Sequence, residues 1–292
     1  MEISRFAPVL ICTLNRHVHF KHCIESLAAC THAYKTDLFI GLDYPSKEAH
    51  WKSYKIIEAY LHTIKGFKTV NITIRKKNFG VNDNWNGMQK YVFEQYDRII
   101  ISEDDNVFSS NFLDYINRGL DYYENNNKII AIGGYNVPAK FPVNYKYDYY
   151  LSTYFNGWGF GTWRDRKIED ITSYNGGYNE IITNKKLFKK FKKIHPKLIQ
   201  YLKRIHDGKL DAGDYKITFH LIKNNLYTIR PIKSLVNNTG NDGSGVHSGI
   251  TDRLNHETLN QKTPRFNDLV KYDVNIDKVW RSFLDNKITI YK

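Results

Sequence analysis

The stretch Ile99-Ile100-Ile101-Ser102-Glu103-Asp104-Asp105 runs from branched apolar residues straight into three acids. A run of isoleucines suits a strand buried on both faces. In open α/β sheets the ligand crevice lies at the carboxyl ends of the strands. Carboxylates gathered there repel one another, and a hard divalent cation, which prefers oxygen ligands, is the usual remedy. The acids therefore sit where a metal and a phosphorylated ligand would sit. The rival reading is a solvated acidic turn.

On either side of this stretch, strand and helix signals alternate. Residues 8–14 read as a strand and 17–31 as a helix. Residues 37–42 form a second strand, and Ser46 is expected to cap a helix over 47–64. Residues 69–74 alternate like a strand, 83–96 suit a helix, and 98–102 are the isoleucine strand. A helix opens at Asn111-Phe112-Leu113, and Ile129-Ile130-Ala131-Ile132 is a fifth strand. Repeated β-α-β units imply an α/β fold: a Rossmann-like, mostly parallel central sheet flanked by helices. Beyond residue 135 aromatics, glycines and asparagines increase and periodicity weakens. The chain divides into 1–135, a pocket-building half at 136–249, and a wrapping tail at 250–292. Trp280 and Phe283 are placed to anchor the tail's last helix.

The chain of 292 residues is 41% apolar and 15% aromatic, enough for a sizeable core. No window is long and apolar enough for a transmembrane helix. Met1-Glu2-Ile3-Ser4-Arg5 leads into a strand without the apolar core of a signal peptide, so a cytoplasmic location is expected. Cys12, Cys23 and Cys30 are odd in number and form no Cys-x-x-Cys pair, so they read as structural. The net charge of +13 favours polyanions, anionic membranes or phosphorylated substrates. A nucleic-acid partner is not expected: no binding motif is present, and the acids at 103–105 would repel phosphate without a metal.

Two further segments carry chemistry. Asn156-Gly157-Trp158-Gly159-Phe160-Gly161-Thr162-Trp163-Arg164 makes a poor helix and a poor strand. Its glycines allow close backbone approach, and its tryptophans offer flat apolar walls of the kind sugar rings stack on. Gly213-Asp214-Tyr215 opens an apolar helix that leads to a strand at 227–231. The glycine-rich stretch from Asn237 to His247 follows. Asp214, or Asp211 in its place, reads blandly as a helix cap.

Together these segments resemble the nucleotide-diphospho-sugar glycosyltransferases of GT-A fold. They are most similar to a bacterial family that builds cell-surface glycans, distantly like N-acetylglucosaminyltransferase I. The resemblance is carried in order by Glu103-Asp104-Asp105 with Phe108 and Phe112, by Trp158 to Arg164, by Asp214-Tyr215, and by Leu235 to Gly240 with His247. It covers residues 7–249. Gly213, Lys167 and Gly245-Val246 depart from the family pattern.

The resemblance implies an inverting hexosyl or N-acetylhexosaminyl transfer from a nucleotide-diphosphate sugar, a UDP-sugar by this likeness, to a hydroxyl of a glycan or lipid-linked glycan in surface polysaccharide synthesis. Residues 1–135 would bind the donor, and 136–249 would bind the acceptor and carry catalysis. Asp105 and His247 would bind Mn²⁺ or Mg²⁺, with imidazole favouring Mn²⁺. Asp214 would be the general base. Thr13, Asn15, Arg16, Asp43, Arg75, Asn78, Asn82, Glu103 and Asp104 would contact the donor, Asp43 through a uracil N–H. Trp158, Gly159 and Tyr215 would line the sugar side. Rival classes are a non-catalytic sugar- or nucleotide-binding module and a nucleotidyltransferase making sugar nucleotides. The latter would normally show a glycine in the loop after strand one, and Leu14-Asn15-Arg16-His17 has none.

Residues 185–204 remain. From Lys185 to Arg204 nine Lys or Arg occur with no acid, and Leu187, Phe188, Phe191, Ile194, Leu198 and Leu202 recur at helical spacing. This segment would either lie on an anionic membrane face beside a lipid-linked acceptor or pack by its apolar stripe with its lysines in water.

Overall fold

The computed structural model describes residues 3, 5–244 and 250–284. The first half alternates strands and helices: β1 (Val9–Thr13), α1 (His17–Ala28), β2 (Asp37–Leu42), α2 (Trp51–Leu61), β3 (Thr69–Ile74), α3 (Val81–Phe93), β4 (Arg98–Glu103), β5 (Asn106–Phe108), α4 (Phe112–Tyr123) and β6 (Ile129–Gly133). The second half adds β7 (Tyr149–Ser152), β8 (Phe160–Trp163), α5 (Ile168–Ser173), α6 (Gly177–Thr183), α7 (Lys185–Ile194), α8 (Pro196–His206), α9 (Gly213–Asn224), β9 (Tyr227–Pro231), β10 (Val236–Asn238) and α10 (Val274–Leu284).

Eight strands form one sheet in the order β3-β2-β1-β4-β8-β6-β9-β7. β3, β2, β1 and β4 are mutually parallel; β8 runs against both β4 and β6; β9 is parallel to β6; and β7 is antiparallel to β9. The sheet is thus mostly parallel and flanked by helices, as the β-α-β pattern implies. The isoleucines behave as a doubly buried strand should. Ile100 packs with α1, α2 and α4 on one face, and Ile99 and Ile101 pack with α3 and α9 on the other. This is the two-residue alternation of a pleated strand.

This topology decides what meets at the carboxyl edge. Residues 13–16, 43, 75 and 103–105 leave the ends of parallel strands there. Because β8 is reversed, the loop Asn156–Gly159 enters it at the same edge. α9 runs back against β9, so its first turn with Asp214 also arrives there.

Three expectations change. The stretch 156–164, expected to make a poor strand, holds a strand, β8, at the centre of the sheet. Its Gly161 is there because α4 packs close: a β-carbon would lie 2.5 Å from Ile116 Cγ2 and 3.0 Å from Leu120 Cδ1. The second helix is entered through a 3₁₀ turn, Glu48–His50, with no side-chain cap, so Ser46 does not cap it. The backbone cap of α9 is Ala212, also without a side-chain cap bond, which leaves Asp214 and Asp211 for other partners.

The basic segment forms α7 and α8, with Pro196 at the start of the second helix. Phe191, Leu198, Leu202 and Ile205 are buried against Ile181, Phe219 and Ile222. The apolar stripe is therefore spent on packing. Among the described residues no helix is long and apolar enough to cross a membrane. In the tail, Trp280 and Phe283 are buried as anchors of α10.

Substituting Gly161→Ala should cost about 1–3 kcal/mol, the range for an overpacked core. Urea denaturation of the variant beside the wild type measures this, and an unchanged midpoint would contradict the close approach of α4.

Candidate active site

The acids at the end of β4 are held by a short list of neighbours. Arg16, at the start of α1, bridges two of them: its guanidinium pairs with Asp104, and its Nη1 lies 2.7 Å from Asp105 Oδ2. Thr13 Oγ1 donates to Asp104 Oδ2 at 2.7 Å. Asn238 Nδ2 donates to Asp105 Oδ1 at 2.6 Å. The antiparallel pairing of β5 with β10 sets Asn106 opposite Asn238, and the next residue, Thr239, donates its N–H and hydroxyl to the Asp105 carbonyl. His19 faces the Thr239 carbonyl and Asp242 at 3.2 Å each. At Gly240 a β-carbon would sit 1.9 Å from Asp105 Oδ2 and 2.9 Å from Arg16 Nη1, so only glycine fits there.

On the other side of the recess stands Asp214. Its Oδ2 accepts from the Gly157 N–H at 3.2 Å. A β-carbon on Gly157 would lie 3.4 Å from Asp214 Oδ1 and 3.7 Å from Glu103 Oε1. One glycine thus separates the acid that ends β4 from the acid that opens α9. Behind the loop, Arg230 is fully buried. It donates to the carbonyls of Tyr154 and Tyr135 and lies 3.8 Å over the Trp280 ring.

The electrostatics follow from crowding. Burial, together with Asp105 and Asp214 nearby, pushes the Glu103 carboxyl well above the usual range. Burial raises Asp105, against the pull of Arg16. Burial also pushes Asp214 up to about 6, offset in part by the Gly157 N–H and by Arg230. Glu103 and Asp214 still keep some surface open to solvent, as the walls of a recess do.

Other expected residues fall into distinct places. Asp43 is buried and accepts from the backbone N–H groups of Tyr44, Phe79 and Gly80, and from Asn78 Nδ2 at 3.2 Å. A carboxylate has about four acceptor sites, so none remains for a uracil N–H. Asp43 shapes the loop that Asn78 belongs to. Arg75 donates through Nε to Asn84 at 2.8 Å and stacks on Phe79 at 4.7 Å. Asn82 reaches Asp211 and ties the start of α3 to the loop before α9. Asn15 lies at the carboxyl edge and makes no hydrogen bond among the described residues. Trp158 meets Tyr135 edge-on at 4.6 Å, and Gly159 adopts φ +73°, the left-handed region that favours glycine. Tyr215 is turned to α8, where its ring stacks on Tyr201 at 4.3 Å and 8°, so it does not join the acids. His247 lies outside the described residues.

Gly157, Asn238, Gly240, His19 and Arg230 are the residues that sequence reasoning missed as site residues. Asn238 and Gly240 stand inside the motif carrying the resemblance, but no local signal aims them at Asp105. For Arg230, nothing in the sequence marks it as buried.

Among the described residues no three His, Cys, Asp or Glu side chains converge as a ready-made metal cage. The donor chemistry nevertheless fits a hard divalent cation shared with ligand oxygens. Glu103, Asp104, Asp105 and Asp214 supply only carboxylate oxygens, and Arg16 is the cation paired with two of them, Asp104 and Asp105.

No family model matches the chain, and no curated protein matches it. Among solved structures it is similar to the mannosyltransferase PcManGT from Pyrobaculum calidifontis in complex with GDP-Man and Mn²⁺, at 9% identity over 75% of this chain and 70% of that one, with a TM-score of 0.41. It is also similar to S. aureus TarS 1–349, at 9% identity, 82% of this chain, 61% of that chain and a TM-score of 0.44. For the longer S. aureus TarS structure the values are 10%, 82%, 37% and 0.38. Likeness at this level carries no functional argument.

Removing the counter-charge tests this site. Arg16→Ala should cost on the order of 3 kcal/mol, because it leaves buried carboxylates unpaired. Millimolar Mn²⁺ should restore part of the lost melting temperature. A variant as stable as the wild type without metal would show that Arg16 is not the neutralising group.

Proposed function

We propose that this protein is a metal-dependent, inverting glycosyltransferase. It moves a sugar from a nucleotide-diphosphate sugar, a UDP-sugar in our reading, to a hydroxyl of a glycan or lipid-linked glycan. The observation that carries this reading is the pair of acid groups facing each other across Gly157: a strand-end cluster suited to a cation and diphosphate, and a separate carboxylate poised near neutrality.

The roles follow from position. Arg16 and Asn238 hold the Asp105 carboxylate in one orientation, and Thr13 holds Asp104. Asp105, together with His247, would hold Mn²⁺ or Mg²⁺. Such a cation, when bound, supplies Lewis-acid neutralisation of charge on the leaving diphosphate. Asp214 takes the proton of the acceptor hydroxyl as its oxygen bonds to the anomeric carbon and the bond from that carbon to the diphosphate breaks. Attack from the face opposite the leaving group inverts the anomeric configuration. Glu103 faces donor hydroxyls, and Trp158 forms a wall for a sugar ring. Asn15, Arg75, Asn78 and Asn82 border the nucleotide end. We place the reaction in the cytoplasm. The exposed lysines of α7 and α8 then suit a peripheral, electrostatic contact with an anionic membrane face.

Three measurements test this. The base must be a carboxylate to accept a proton, so transfer should be full well above pH 6, drop to half near pH 6, where Asp214 is half protonated, and fall further below it. A rate that stays flat down to pH 4 would remove Asp214 from that role. Asp214→Asn should fold and bind donor yet lose roughly 10²–10⁴-fold in transfer. A thermal-shift panel of UDP- and GDP-sugars with and without Mn²⁺ reads donor binding directly. A metal-dependent rise with one UDP-sugar is the expected result. A rise with another base changes the donor, and no rise with any nucleotide would leave a binding module as the better reading.

A further inference from the structure

A second cavity lies on the same carboxyl edge, away from the acids. It measures about 390 Å³ and is lined by Val137 to Ala139, Ile232 to Ser234, His256 and Thr258 to Lys262. The fold explains its place. Residues 137–139 follow β6, and residues 232–234 follow β9, both parallel strands that end at this edge. The tail closes it: Asn260 N–H bonds the Ser234 carbonyl at 2.8 Å, and the His256 ring reaches the Asn136 carbonyl at 2.6 Å.

The cavity is joined to the proposed sugar wall through rings. Trp158 meets Tyr135 at 4.6 Å, and Tyr135 meets His256 at 5.9 Å. Its lining combines apolar surface from Val137, Pro138 and Leu259 with amide and hydroxyl groups from Thr258, Asn260 and Gln261. That mixture suits the two faces of a sugar ring. Its charge is one-sided: Lys233 and Lys262 line it, and no carboxylate does. Neither lysine has an ion-pair partner among the described residues. Glu257 stands between two lining residues in sequence but does not line the cavity. Burial lowers the His256 pKa, so the ring adds no charge near neutral pH.

We propose that this cavity binds a short saccharide carrying a carboxylate or phosphate group, with the anion held by Lys233 and Lys262. The binding claim stands on the cavity itself. Its role as an acceptor subsite rests on the transferase reading above.

The test uses the full chain and three probes measured by saturation-transfer NMR and calorimetry: a glucuronic-acid disaccharide, glucose 6-phosphate and neutral cellobiose. At least one anionic probe should bind about tenfold or more tightly than cellobiose, since each charge-assisted bond outweighs a neutral one. The better anionic probe names the source, a uronic acid or a phosphate. The double variant Lys233→Ala/Lys262→Ala should lose that preference, and Lys233→Arg/Lys262→Arg should keep it. Nucleotide-diphosphate binding, measured on the same samples, should not change in either variant. Equal binding of cellobiose, no binding of any probe, or a preference that survives the alanine pair would overturn the proposal. Any of these with nucleotide binding intact would leave the transferase reading standing. Saccharide binding without nucleotide binding would keep the cavity's assignment and remove that reading.

Discussion

The structure depends on a concentration of negative charge at the end of one buried strand. Glu103, Asp104 and Asp105 leave β4 where the sheet gives way to loops, and Asp214 joins them from α9. Carboxylates brought this close raise one another's pKa unless a cation or hydrogen-bond donors intervene. Much of the surrounding chain is arranged as that intervention. Arg16 comes from the loop after β1, Asn238 from a two-stranded ribbon, and the Gly157 N–H from a loop that only a reversed strand could deliver. A charge that the sheet alone could not tolerate becomes a site because three remote segments converge on it.

That convergence explains the glycines. Gly157 lies between two carboxylates, Gly161 lies under α4, and Gly240 lies against Asp105. At Gly161 and Gly240 a side chain would occupy space already held by a core group or a carboxylate, while Gly157 leaves its backbone N–H open to Asp214. The tail has a matching part on the other side. Trp280 covers the buried guanidinium of Arg230, and Asp277 accepts from Ser152 and Thr153. The carbonyls that Arg230 holds belong to Tyr154, just before the loop at 156–159, and to Tyr135, which meets Trp158. The last helix is therefore part of the framework that positions Asp214's donor.

Much of the architecture was legible in the chain. The isoleucine run, the alternation of strands and helices and the apolar stripe of 185–204 each declare their period, and burial on one or two faces follows. The acidic strand end was legible as a candidate site because buried charge needs a partner. The partners were not. Asp43 looked like a base-binding acid by position, yet its acceptor sites are filled by the loop at 78–80. Tyr215 looked like a substrate residue, yet it stacks on Tyr201.

What the sequence by itself determined is the set of local periods and the place where charge is left at a strand end, since these depend on neighbours within a few positions. What only the tertiary structure decided is strand direction and cross-chain pairing. The segment 156–164 enters the sheet as β8, against the run of its neighbours, because β4 and β6 offer it unpaired edges and α4 leaves room only for glycine at 161. That reversal sets Gly157 between Glu103 and Asp214. Hydrogen bonds and steric fit across 57 residues between Gly157 and Asp214, or 133 between Asp105 and Asn238, leave no trace in any local pattern.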